Sequence, residues 1–97
     1  MVRAKFLFTR YETSLHNTET GKPPEELRTL YFTPVYGNGD PNHENTKFFK
    51  WSPSGEIRLG TVNRSVWEYM KLGSEYYVDF TLAAAPPKVS PTDDKNA

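Results

Sequence analysis

The rings of six Phe, six Tyr and two Trp have to supply the core of this chain. Each buried ring removes roughly 150–250 Å² from water, and Leu, Val and Ile are too few to enclose a core alone. The apolar fraction is only 36% and the mean hydropathy is -0.72. A chain of 97 residues has room for one domain, not for two independent cores. The rings sit largely in segments with the two-residue period of a pleated strand, so the expected class is mainly β.

The first segment, residues 2–11, sets Ala4, Phe6 and Phe8 against Arg3, Lys5 and Thr9. Residues 12–26 are polar and close on Gly21-Lys22-Pro23-Pro24, a loop. Leu27–Tyr36 reads as a second strand, with Pro34 placing it at an edge or a bulge because proline has no N–H to donate. After the turn-rich 37–42 stretch, Thr46–Trp51 and Glu56–Val62 read as a hairpin around Ser52-Pro53-Ser54-Gly55, whose proline and glycine suit a type I turn. In its second arm Ile57 and Leu59 should point inward, and Glu56 and Arg58 outward. Asn63 is an N-cap for a short helix carrying Val66, Trp67, Tyr69 and Met70, which Gly73 closes. Glu75–Leu82 is the last strand, with Tyr76, Val78, Phe80 and Leu82 on one face and Tyr77, Asp79 and Thr81 on the other. The expected architecture is a five-stranded antiparallel barrel or small sandwich over residues 1–82, with one short helix before the last strand. An OB-like order is one candidate. Residues 83–97, with three prolines and little apolar content, are expected to form a disordered tail.

Twelve basic and twelve acidic residues cancel, so no overall field draws the chain to nucleic acid or an anionic membrane. With no cysteine, disulfides, zinc–thiolate centres and thiol catalysis are excluded. No apolar run of signal-peptide length follows Met1, and none approaches a membrane span of about 18–20 residues. The expected location is cytoplasmic, with no membrane partner.

The run Glu44-Asn45-Thr46-Lys47-Phe48-Phe49-Lys50-Trp51-Ser52-Pro53-Ser54-Gly55, the helix opened by Asn63, the stretch Gly73-Ser74-Glu75-Tyr76-Tyr77-Val78-Asp79-Phe80-Thr81 and the opening Arg3-Ala4-Lys5-Phe6 together resemble a group of small bacteriophage-encoded proteins. The likeness covers residues 1–9 and 31–82. It implies a bacteriophage origin, and hence the host cytoplasm, but that group is uncharacterised and supplies no functional residues to carry over.

No catalytic constellation is visible, and the chain is expected not to be an enzyme. His16 and His43 fall in expected loops without a patterned nucleophile or acid beside them. Asp40, His43 and Glu44 are metal-ligand types, but three residues so close in sequence fit a solvated turn better than a four-ligand zinc site. No cofactor is implied.

The most informative stretch is Lys47-Phe48-Phe49-Lys50-Trp51. As a strand it carries an aromatic residue on both faces, Phe49 and Trp51 on one and Phe48 on the other. One set is then either exposed or covered by the helix or tail. Interleaved lysines and rings on a sheet suit single-stranded nucleic acid, which needs stacking surfaces worth about 1–3 kcal/mol per base and phosphate neutralisation. The competing account is packing, with Trp51 and Phe49 in the core and Phe48 under the helix. Arg3, Lys5, Arg10, Arg28, Lys47, Lys50 and Arg58 outnumber the acids on the expected strands, which allows a basic sheet face. The same cations would also guard sheet edges against aggregation. Tyr77 is expected outward and available.

Two functions lead for a non-enzymatic binding module, ahead of a third, sequestration of a small nucleotide-like ligand in an aromatic-lined pocket, which has no motif behind it. One is single-strand binding across an aromatic and basic sheet face through Lys47, Phe48, Lys50, Trp51, Arg58 and Tyr77. The alternative is a protein–protein binder, either an inhibitor of a host protein or a virion component, using the same rings as anchors.

Overall fold

The structure, a computed structural model, describes residues 1–17 and 19–84. Four strands form one antiparallel sheet: β1 (Val2–His16), β2 (Glu25–Pro34), β3 (Ile57–Thr61) and β4 (Glu75–Phe80), in the order β3-β2-β1-β4. Two six-residue helices, α1 (Glu44–Phe49) and α2 (Arg64–Tyr69), complete the described chain. The outer strands β3 and β4 do not pair, so the sheet is open. The expected five-stranded barrel or sandwich, and with it the OB-like order, is corrected to this four-stranded open sheet. The expected third strand, 46–51, falls largely within α1 and so is not available to close it.

The period-2 pattern of β1 holds. Ala4, Phe6 and Phe8 are buried on one face with Leu30 and Phe32 of β2, and Phe49, Ile57, Val66, Met70, Tyr76 and Val78 pack against them. Phe8 stacks on Phe32 at 5.1 Å between ring centroids, and Tyr76 meets Phe32 edge-on at 6.3 Å. Leu59 on β3, Phe80 at the end of β4 and Leu82 beyond it, all expected inward, are exposed. The polar stretch 12–16, expected as loop, instead prolongs β1 as far as the pair His16–Glu25. A bulge between Phe8 and Arg10 absorbs Thr9, so Phe8 and Tyr11, three residues apart, share one face. Their centroids are 6.4 Å apart.

Helix α2 starts where expected, with Asn63 Oδ1 accepting the Ser65 N–H at 3.0 Å. It ends earlier, at Tyr69. Gly73 has the anticipated positive φ of 85°, but in a separate turn in which the Ser74 N–H reaches the Lys71 C=O at 3.0 Å. That turn is pinned to β1: the Gly73 N–H donates to the Phe8 C=O (2.9 Å) and the Phe8 N–H to the Ser74 C=O (3.0 Å). The tail expected from residue 83 lies, from 85 onward, outside the described residues. No helix among the described residues is long and apolar enough to cross a membrane.

Candidate binding site

Helix α1 is set at the sheet by one buried side chain. Pro34 is the last residue of β2, paired with Phe6, and beyond it the edge of β1 at Lys5 lacks a strand partner on that side. Asn45, 1% exposed, fills the gap. Its Oδ1 accepts the Lys5 N–H (2.6 Å), and its Nδ2 donates to the C=O groups of Lys5 and Val35. His43 caps the helix, its Nδ1 accepting the Asn45 N–H at 3.0 Å, and Asp40 accepts the Asn42 N–H at 2.9 Å. Two of the three residues of metal-ligand type are thus occupied by loop and cap geometry. No group of three His, Asp or Glu among the described residues is arranged to hold a metal.

Helical rather than extended geometry re-sorts the Lys47–Trp51 stretch. Asn45 and Phe49, one turn apart, face the protein, while Lys47, Phe48, Lys50 and Trp51 are exposed. Trp51 is 77% exposed. Phe48, at 41%, leans on Phe49 and Phe80 with centroids 4.8 and 6.0 Å away. The packing account therefore holds for Phe49 alone.

The helix ends in an uncommon way. Lys50 has φ 69° and ψ -45°, and the Trp51 N–H donates to the Phe49 C=O at 2.7 Å, across a single residue. This is a γ-turn of the rare, strained hand, here centred on a lysine with no glycine to relax it. Opposite it, Gly37-Asn38-Gly39-Asp40 forms a turn closed by Asp40 N–H to Gly37 C=O (3.0 Å), with φ 55° at Asn38 and 75° at Gly39. Positive φ at both central positions is the type I′ form that Asn-Gly favours. A Cβ on Gly37 would overlap Thr46 Oγ1 and crowd the Thr46 N–H, so a larger residue there requires Thr46 to shift. Between the two turns lies a cleft of about 360 Å³, lined by Tyr36, Asn38, Thr46, Lys50, Trp51 and Pro53 among others. Tyr36 is 63% exposed, and no carboxylate of the described residues lines the cleft.

The expected site residues do not all converge. Arg58 stands on β3 and Tyr77 on β4, the opposite edges of the sheet. Arg58 lies over Tyr31 (5.3 Å to the ring centroid) and pairs with Glu56 (3.3 Å). The ring of Tyr77 is covered by Arg3 (4.4 Å) and Lys5 (5.3 Å), and its hydroxyl donates to Glu44. Arg10 covers Tyr31 at 3.6 Å and pairs with Glu12 at 2.8 Å. Among the described residues the sheet face away from the core is thus a balanced lattice of cations, rings and carboxylates rather than the basic surface that the sequence allowed. Its carboxylates respond. Arg3 draws the Asp79 carboxyl below its ordinary value through a direct hydrogen bond, and Arg10 does the same to Glu12, aided by the Tyr31 hydroxyl. Glu44 is also lowered, chiefly by its own backbone N–H at the first turn of α1 and then by Lys5.

Lys47 and Lys50 differ from these cations, since neither makes an ion pair among the described residues. Arg64 and Lys71, flanking α2 with the exposed Tyr69, also make no ion pair among the described residues, so the open cations and rings fall into two groups, of which Lys47, Phe48, Lys50 and Trp51 form the one at the end of α1. Tyr36 and Asn38 join them without having been singled out, although Asn38-Gly39 is a recognisable turn signal. Comparison of the chain with protein-family models, with curated proteins and with solved structures returns no match.

Proposed function

We propose that this chain is a non-enzymatic binding module that holds single-stranded nucleic acid at the end of α1, with Trp51 and Phe48 as stacking surfaces and Lys47 and Lys50 on the phosphates. The observation that carries the reading is the strained turn at Lys50. It costs on the order of 1–3 kcal/mol, and it places a tryptophan in solvent beside Lys50, whose ammonium is 5.6 Å from the ring centroid and makes no ion pair among the described residues. Strain kept at an exposed corner, where packing gains nothing from it, is the pattern of a functional site. The phage-like sequence features, and with them a host-cytoplasmic setting, belong to the same proposal.

The test is fluorescence anisotropy with a labelled mixed-sequence oligonucleotide at low salt. Trp51→Ala should weaken binding by about 1–3 kcal/mol, the worth of one stacked base, without loss of the fold. A wild type that ignores single strands at low salt ends this reading. The second reading, a protein partner, is favoured by a different observation: Leu59 and Val62 lie exposed on and beside the open edge strand β3, and such an edge accepts an added strand.

A further inference from the structure

We infer that the cleft between the 37–40 and 49–51 turns seats one nucleobase with its phosphate, so that the protein takes up single nucleotides as well as strands. The inference rests on the single-strand reading and names what the central subsite recognises.

Three features converge on that ligand. The cleft is built before anything enters it. One rim is a type I′ turn packed closely on Thr46 at Gly37, the other a γ-turn closed at 2.7 Å, and between them lies Asn45, locked onto the edge of β1. Preformed walls spare a ligand the cost of ordering them. Its volume of about 360 Å³ lies at the small end of the range that small-molecule sites occupy, about 300–1,000 Å³.

The lining chemistry is selective. Tyr36 and Trp51 offer two largely exposed rings, which favour a planar, electron-poor partner. Among the described residues Lys50 is the one charged residue of the lining, and its ammonium sits 5.6 Å from the Trp51 centroid. In a chain with as many acids as bases, a lining with one cation and no carboxylate among the described residues selects an anion. Asn38, Thr46 and Ser52 add an amide and two hydroxyls able to meet the polar edge of a ring. A neutral sugar would stack without using the lysine, and an acidic peptide would use the lysine without the rings. A nucleotide uses both.

The chain has two tryptophans, so Trp67→Phe leaves Trp51 as the sole tryptophan reporter. Because Trp67 is buried and its indole N–H donates to the Thr61 C=O, the wild-type Trp51 indole resonance in NMR serves as a second reporter if that variant is unstable. Adenosine monophosphate, adenosine, inorganic phosphate and a mixed-sequence oligonucleotide are titrated in turn. The monophosphate should change the Trp51 signal saturably and bind about tenfold tighter than adenosine, the factor one charge-assisted hydrogen bond supplies. Lys50→Gln should erase that difference, and Tyr36→Ala should weaken both ligands. If the oligonucleotide shifts Trp51 and the monophosphate does not, the nucleotide seat is overturned while strand binding stands. If the monophosphate binds and the oligonucleotide does not, the seat stands and the strand reading falls. Equal affinity for adenosine and its monophosphate, or silence with every ligand, overturns the inference.

Discussion

The side chain of Asn45 engages both main-chain hydrogen-bonding groups of Lys5, accepting its N–H at Oδ1 (2.6 Å) and donating from Nδ2 to its C=O (2.7 Å). At the Lys5 N–H it stands in for the Val35 C=O, which Asn45 Nδ2 holds instead, while the Val35 N–H still reaches Lys5. Asn45→Ala leaves the Lys5 N–H and the Val35 C=O without these partners, whereas the Lys5 C=O keeps the Val35 N–H at 3.1 Å. Each buried group left unpaired costs about 1–3 kcal/mol, so the expected loss is at least about 2 kcal/mol. It would be read as a lower urea midpoint at unchanged slope. A change below about 0.5 kcal/mol, the size of an ordinary surface substitution, would mean that Asn45 does not hold α1.

Lys50→Gly separates stability from binding. Glycine adopts φ 69° without strain, which recovers part of the roughly 1–3 kcal/mol that such a conformation costs another residue. The variant should melt higher by roughly 4–8 °C per kcal/mol recovered, and it should bind strands more weakly for want of the ammonium. A variant that is both less stable and unchanged in binding would contradict both roles assigned to Lys50.

The carboxylates of the sheet face set the response to acid. Asp79, Glu12 and Glu44 are held below their ordinary values, so the folded chain binds fewer protons than the unfolded chain as pH falls through that interval. Their contribution is complete above the ordinary carboxylate values, about pH 4, and is lost progressively below it. The melting temperature should be flat from neutrality down to about pH 5 and fall below about pH 4. Arg3→Ala should make the fall shallower, because Asp79 then titrates alike in both states. A profile that Arg3→Ala leaves unchanged would show that the Arg3–Asp79 pair at 2.6 Å does not matter to folding.

Much of the sheet is legible in the sequence, since Ala4-x-Phe6-x-Phe8 and Tyr76-x-Val78 carry their period openly and Asn63 announces α2. The error at 46–51 has a specific cause. Lys47-Phe48-Phe49-Lys50-Trp51 is as consistent with alternation as with a helical turn, and its β-formers tilt the choice toward a strand. What decides is tertiary: Asn45 docks on Lys5, forty residues away in sequence, and His43 caps the turn. The acidic Glu44 and basic Lys47 at the two ends of a short segment are the faint helix signal in the sequence. The exposure of Phe48 and Trp51 follows from that helix and is illegible without it. Neutralisation of the sheet face is hidden because it depends on register: Arg3 and Asp79 are opposite only once β1 and β4 pair.

Binding at the end of α1 is tested most directly by two-dimensional ¹H–¹⁵N spectra recorded as a mixed-sequence oligonucleotide is added. Shifts should concentrate at Tyr36–Gly39, Lys47–Pro53 and the Trp51 indole, while Tyr31, Arg58 and Tyr77 stay unmoved. Raising the salt should reverse these shifts. The slope of log affinity against log salt should fall by about 0.7 for each phosphate that Lys47→Ala or Lys50→Ala leaves without its lysine. Shifts confined to the sheet face, or none at any salt concentration, would contradict a strand-binding site at the end of α1.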